Sequence, residues 1–133
     1  MIGPLNALMG AVVPLLKADP ALSEMIGQRV YDTIPEKAPF PYLSLGSAWE
    51  TQDDADCLAA VTVGFRIDVW SRAVGFPEAR AIAHLVRAVL HEAEIDIPDG
   101  ALAMLEHRRT DTMRDPDGMT AHAAIEFQAV IET

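Results

Sequence analysis

The chain has a single cysteine, Cys57, among its 133 residues. One thiol excludes an internal disulfide framework and any metal site built from several cysteines of one chain. Such cysteine usage is typical of proteins that stay in a reducing cytoplasm. Cys57 has no His or Lys beside it in the sequence to activate it, so we expect an unreactive thiol near a strand edge.

Basic residues are scarce, with 10 Lys and Arg against 20 Asp and Glu, which gives a net charge of −10. An acidic chain without a Lys/Arg cluster is poorly suited to grip nucleic acid or an anionic membrane. No apolar run approaches the roughly 20 residues of a membrane span. We therefore expect a protein assembled in the cytoplasm without membrane contact. Half of the residues are hydrophobic, which predicts one folded domain over residues 1–133.

The usual signals of catalysis and metal binding are also missing. His84 and His91 are two helical turns apart, about 10 Å, which is too far to share one ion. The aspartates at 53, 54 and 56 lack the spacing of a calcium loop. Because no nucleophile, Gly-rich loop or metal triad is present, we predict no catalytic, cofactor-binding or metal-binding residues. His107, His122 and Asp111 leave acid–base chemistry open as the less favoured alternative.

The clearest pattern is the strict alternation of residues 59–72. Val61, Val63, Phe65, Ile67 and Val69 share one parity, which predicts a strand with one buried face. The opposite parity carries a mixture of polar and aromatic side chains and is a candidate contact surface. Its members are Thr62, Gly64, Arg66, Asp68 and Trp70.

Helical spacing occurs in three other segments. Residues 5–17 and 76–92 carry apolar stripes at i, i+3 and i+4, which predict an N-terminal helix and a longer amphipathic helix. Asp19-Pro20 is typical of a helix start, and Gly27 of the end of that short helix.

Three further strands are predicted, at residues 40–49, 101–113 and 119–132. In the first of them Leu43, Leu45 and Trp49 are expected on one side. Residues 50–56 are acidic and are expected to form the tip of a hairpin. Asp115-Pro116-Asp117-Gly118 is typical of a type I turn that ends in a bulge, and it places Leu105 opposite Ala129 and His107 opposite Phe127. A parity change near Leu102 predicts a bulge or a late start in the third strand.

The predicted order is helix, helix, strand, strand, helix, strand, strand. It indicates an α+β domain with a mainly antiparallel four-stranded sheet. The long helix and the N-terminal helix are expected to cover one face of that sheet.

Short motifs occur along the chain in an order that resembles the tail-completion, or tail-terminator, family of long-tailed phages, prophages and gene-transfer particles. No single motif is diagnostic, but their succession covers nearly the whole chain. They are residues 27–32 (GQRVYD), 35–46 with its three prolines, 69–71 (VWS), 77–79 (PEA), 114–118 (RDPDG) and 124–127 (AIEF).

The resemblance implies a structural role. Members form a ring, usually hexameric, that ends polymerisation of the tail tube and joins it to the head-side connector. DNA passes through the lumen of the ring without specific binding, with which an acidic charge is compatible. The family has no catalytic residues. For ring or partner contacts we predict Trp70, Arg66 and Arg109, and the loop aspartates Asp53, Asp54 and Asp56.

Two other classes remain open from the sequence. Another neck protein, such as an adaptor or a stopper, would bind portal-side proteins instead of tube subunits. A small α+β enzyme or ligand-binding domain would need an enclosed pocket containing His107, His122 or Asp111.

Overall fold

The computed structural model describes residues 2–52 and 59–133. Asp53, Asp54, Asp56 and Cys57 lie outside the described residues, so the contacts expected of those aspartates stay predictions. Within the described ranges the chain forms, in order, α1 (Pro4–Ala18), α2 (Pro20–Ile26), β1 (Val30–Tyr31), β2 (Tyr42–Gln52), β3 (Ala60–Ser71), α3 (Pro77–Leu90), β4 (Ala101–Arg114) and β5 (Ala121–Glu132).

The short helix α2 begins and ends at the predicted local signals. The carboxylate of Asp19 accepts a hydrogen bond from the Leu22 N–H at 3.0 Å, which satisfies a backbone donor of the first turn. At the other end Gly27 has a φ of 59°, where a side chain would be strained, and its N–H donates to the Ser23 carbonyl. Both predicted boundaries of α2 are confirmed.

The five strands form one sheet in the order β1-β2-β3-β5-β4. The α+β class and the mainly antiparallel pairing are confirmed, but the predicted count of four strands is wrong. The additional strand is β1, in which Val30 and Tyr31 pair parallel to Leu43 and Ser44 of β2. Two residues are too few to show an alternation, so the sequence pattern could not distinguish this strand from a loop.

The hairpin of β4 and β5 has the predicted register. Leu105 lies opposite Ala129, and His107 lies opposite Phe127. In the turn, the Gly118 N–H donates to the Asp115 carbonyl at 2.9 Å, and Gly118 has a φ of 74°. The register of β4 shifts between Leu102 and Met104, which confirms the predicted bulge, and it shifts once more between His107 and Arg109.

β2 differs from its prediction in length and in the direction of one side chain. It extends to Gln52, and its last residues pair with β3. The sequence did not predict this extension, because the residues beyond Trp49 are exposed on both faces and show no alternation. A register shift between Leu45 and Ala48 turns Trp49 away from the face that carries Leu43 and Leu45. Trp49 was expected on the same side as those leucines, and that expectation is wrong.

The core lies between the helices and one face of the sheet. Phe65 of β3 and Phe127 of β5 stack at its centre with ring centroids 5.3 Å apart. Fully buried side chains of all three helices pack over them, among them Leu8, Leu16, Leu22, Ile82, Val86 and Leu90. Because all three helices pack on this face, they leave the opposite face of the sheet uncovered.

Candidate interaction surface

We call the sheet face opposite the helices the open face. Strand alternation and register bring together there side chains of β2, β3, β5 and β4. The members are Ser44, Trp49, Thr62, Gly64, Arg66, Asp68, Trp70, His122, Glu126, Gln128, Glu106, Arg109, Asp111 and Met113. The predicted contact residues Arg66, Trp70 and Arg109 all belong to this one face.

Asp68 is the most deeply buried polar residue of the open face, with 3% of its surface exposed. The Oδ1 atom lies 2.8 Å from Nε2 of His122, across the β3–β5 pair, and 2.9 Å from Nε of Arg66. The Nε–H of Arg66 is not aligned for a hydrogen bond, so the donor to Asp68 is Nη2, at 3.3 Å from Oδ2. One carboxylate thus holds two cationic or ionisable side chains in place.

Trp70 extends this network instead of standing free on the surface. The indole ring stacks on the His122 ring, with centroids 4.0 Å apart and an angle of 9° between the planes. The indole N–H donates to Ser44 Oγ on β2 at 2.9 Å. Trp70 therefore links three strands of the open face and leaves only part of its ring available to a partner.

Two glycines make room for the large side chains of the open face. A Cβ at Gly46 would lie 2.6 Å from Oδ2 of Asp68, so the β2 bulge needs glycine where it approaches the buried carboxylate. A Cβ at Gly64 would lie 2.0 Å from the Trp49 ring, which therefore lies flat over Gly64. Trp49 remains 46% exposed and is the largest apolar side chain presented there.

A row of alternating charge crosses the open face. Arg66 of β3 and Arg109 of β4 both lie opposite Glu126 of the intervening strand β5. Arg109 also donates to Asp111 Oδ1 at 2.7 Å, and this bond raises the pKa of Arg109 above its ordinary value. The exposed end of the row is built for ionic contacts, which contribute specificity more than affinity.

The three residues of the acid–base alternative are not brought together in one place. His107 lies on the helix side of the sheet, against Phe127, while His122 lies on the open face. His107 Nε2 is 2.8 Å from Thr110 Oγ1, and Asp111 is bound to Arg109. Neither the cavity between residues 92–97 and 101–106 nor the one lined by Arg80, His84 and Thr110 includes His107, His122 or Asp111 in its lining.

His107 has a lowered pKa for a structural reason. Burial against the core is the largest cause, and electrostatic interactions with Arg87 and His91 add to it. His107 is therefore a group that resists protonation because of its place in the fold.

Residues 2–52 and 59–133 contain no group of three or more His, Cys, Asp or Glu side chains placed to hold a metal ion. No single helix among them has the length and apolarity of a membrane span. α1 and α2 reach that length only as a pair, which is bent by 79° at Asp19.

Comparison with protein families gives a match over residues 10–132 to the family described as tail completion protein gp17. The chain belongs to the tail completion protein family. Membership makes it a structural protein of the tail of a phage or a phage-like particle. None of the curated proteins compared matches the sequence.

Among solved structures, the tail completion protein is similar to a chain of the virion of a native gene transfer agent particle. The two are 30% identical, the similarity covers 97% of each chain, and the TM-score is 0.89. The resemblance expected from the order of short motifs is therefore confirmed at the level of the family and of the whole fold.

Proposed function

We propose that this tail completion protein closes the end of the tail tube as a ring of subunits. The ring ends tube polymerisation and forms the joint to the head-side connector, and DNA passes through its lumen. The observation that carries the proposal is the family match over residues 10–132, together with the similarity over 97% of the chain to a protein of an assembled particle.

The surface of the monomer supports a ring. A head-to-tail ring needs two different patches on each subunit that fit each other. The open face offers a rigid, hydrogen-bonded surface with the exposed ring of Trp49 and the charged end at Arg109.

The charge distribution adds a second element of complementarity. Five of the 10 basic residues lie on α3 and β4, namely Arg80, Arg87, Arg108, Arg109 and Arg114. Outside α3 and β4 the chain carries 17 of its 20 acidic residues, so arginines of these elements on one subunit have acidic residues to meet on the next.

The proposal is tested by mixing the purified protein with tail-tube subunits of the same particle and measuring tube lengths by negative-stain microscopy. We expect rings at one end of short tubes, and longer uncapped tubes when the protein is omitted. Tubes whose lengths and ends do not change would contradict the proposal. Binding only to portal-side proteins would indicate an adaptor or a stopper instead.

Variants locate the contact within that assay. Arg109→Glu reverses an exposed charge of the open face, and Lys37→Glu makes the same change in the exposed loop before β2. If the open face is a subunit contact, Arg109→Glu weakens capping and Lys37→Glu does not. Equal capping by both variants would show that Arg109 is not a contact residue. Whether a ring forms would still be decided by the tube lengths and tube ends.

A further inference from the structure

The outer edge of β4 faces the segment of residues 91–97, which follows α3. β4 is an edge strand, and residues 91–97 run beside it after α3 ends. The Glu92 N–H donates to the Leu105 carbonyl at 2.8 Å, and the His107 N–H donates to Nδ1 of His91 at 3.0 Å. Among the described residues, these are the two hydrogen bonds that the outer edge of β4 makes, one as acceptor and one as donor.

Beyond these two bonds the two segments separate and leave a groove of about 550 Å³. Residues 92–97 form one wall, and the first half of β4, residues 101–106, forms the other. We call this space the β4 groove. Because residues 101–106 extend for about 20 Å, the groove is long enough for a segment of about six residues in extended conformation.

The strand edge in the groove has small exposed side chains and is interrupted by the bulge between Leu102 and Met104. Ala101 and Ala103 are its exposed side chains, and they are small enough to let another backbone approach. Neither proline nor lysine occurs in residues 101–106, although these residues commonly block pairing at sheet edges. The Leu105 carbonyl already accepts from the Glu92 N–H, so the outward backbone groups of residues 101–104 are the ones available for strand addition.

The charges of the groove specify the occupant. Four acidic residues line it, Glu92, Glu94, Asp96 and Glu106, and none of the lining residues is Lys or Arg. In residues 93–97 the apolar side chains are half-buried and the acidic ones exposed, so the wall alternates like a strand. An extended segment with alternating basic and apolar side chains matches both the period and the charge.

A second copy of this chain does not supply such a segment. Its Lys and Arg residues are separated by at least five positions, except for Arg108 and Arg109, which lie within β4 itself. We propose that the β4 groove binds an extended, basic segment of another particle protein, which adds to the sheet as a strand beside residues 101–106.

The test uses the full-length protein and a fluorescent hexapeptide of alternating lysine and valine, at about 150 mM salt to screen non-specific attraction. The control peptide has the same sequence with every backbone nitrogen methylated, which keeps the charge and removes the donors. We expect the first peptide to bind at least about tenfold more tightly than the second, and to shift the amide resonances of residues 92–106.

Paired charge variants separate the groove from general acidity. Glu94→Lys with Asp96→Lys changes the groove wall, and Glu24→Lys with Glu36→Lys makes the same change in net charge at exposed positions elsewhere. The first pair is expected to weaken peptide binding at least about tenfold and the second less than about twofold.

Several results would overturn the proposal. These are no measurable binding, equal binding of the methylated peptide, or equal losses in the two charge variants. Resonance shifts of residues 92–106 that grow with protein concentration alone would identify a second copy as the occupant. The ring assay does not depend on any of these outcomes, so the two proposals fail separately.

Discussion

Asp68 shows why some polar residues of the open face are structural before they are functional. Its carboxylate is nearly inaccessible and is shared by Arg66 and His122. Removing one member of a buried charged network leaves the others without partners, and this loss exceeds the gain that the pair itself provides.

We therefore predict that Asp68→Ala lowers the free energy of unfolding by about 2–3 kcal/mol. The matched change Asp111→Ala removes an exposed carboxylate that also binds an arginine, and we expect a clearly smaller loss. Urea denaturation of both variants measures the difference. Equal losses would show that the Asp68 network does not stabilise the fold.

His107 gives a prediction about pH. The folded state lowers the pKa of His107 by burial and by nearby positive charge, so the unfolded chain binds the proton more tightly. Stability from this group is complete above the ordinary value of 6.5 and is lost as the pH falls below it.

We expect His107→Gln to reduce the loss of stability between about pH 7.5 and about pH 5, and His84→Gln, at an exposed position of α3, to leave that loss unchanged. Thermal denaturation across this pH range provides the measurement. An unchanged slope in His107→Gln would assign the pH dependence to other groups.

At the scale of elements, the sequence predicted the features that depend only on neighbouring residues. The cap at Asp19, the end of α2 at Gly27 and the turn from Asp115 to Gly118 were all readable, because each depends on neighbouring residues. The turn in turn set the register of β4 on β5, including Leu105 opposite Ala129.

Features that depend on distant pairing were not readable. The pairing of β3 with β5, which places His122 against Asp68, joins segments 54 positions apart and has no local sequence pattern. The bulge in β2 near Gly46 was also missed, so Trp49 was expected on the wrong face. In the candidate surface, the alternation of β3 predicted that Arg66 and Trp70 share one face, while the partners of Trp70, Ser44 and His122, required the fold.

The cap of α2 provides a prediction at this scale. Asp19→Ala removes the acceptor of the Leu22 N–H, and we expect a loss of about 1 kcal/mol in the free energy of unfolding. Glu24→Ala, an exposed change within the same helix, serves as the control and is expected to have little effect. Chemical denaturation monitored by circular dichroism distinguishes the two, and no loss in Asp19→Ala would mean that solvent replaces the cap.

At the scale of the whole molecule, the two faces of the sheet differ in composition and in what packs on them. One face is filled by helices and accounts for the core, with Phe65 and Phe127 at its centre. The other is a polar and aromatic surface whose side chains are joined by the Asp68 network, and it is the face on which we propose subunit contacts. The fold and the family membership thus agree in describing a component of a larger assembly.

The most direct test of the central claim is the distribution of tail lengths in the host that produces the particle, with and without this gene. Ring closure at the tube end predicts that deletion gives tubes of irregular length without attached heads. It also predicts that the wild-type gene restores uniform tails joined to heads. Tails of normal length attached to heads in the deletion strain would contradict the proposed function.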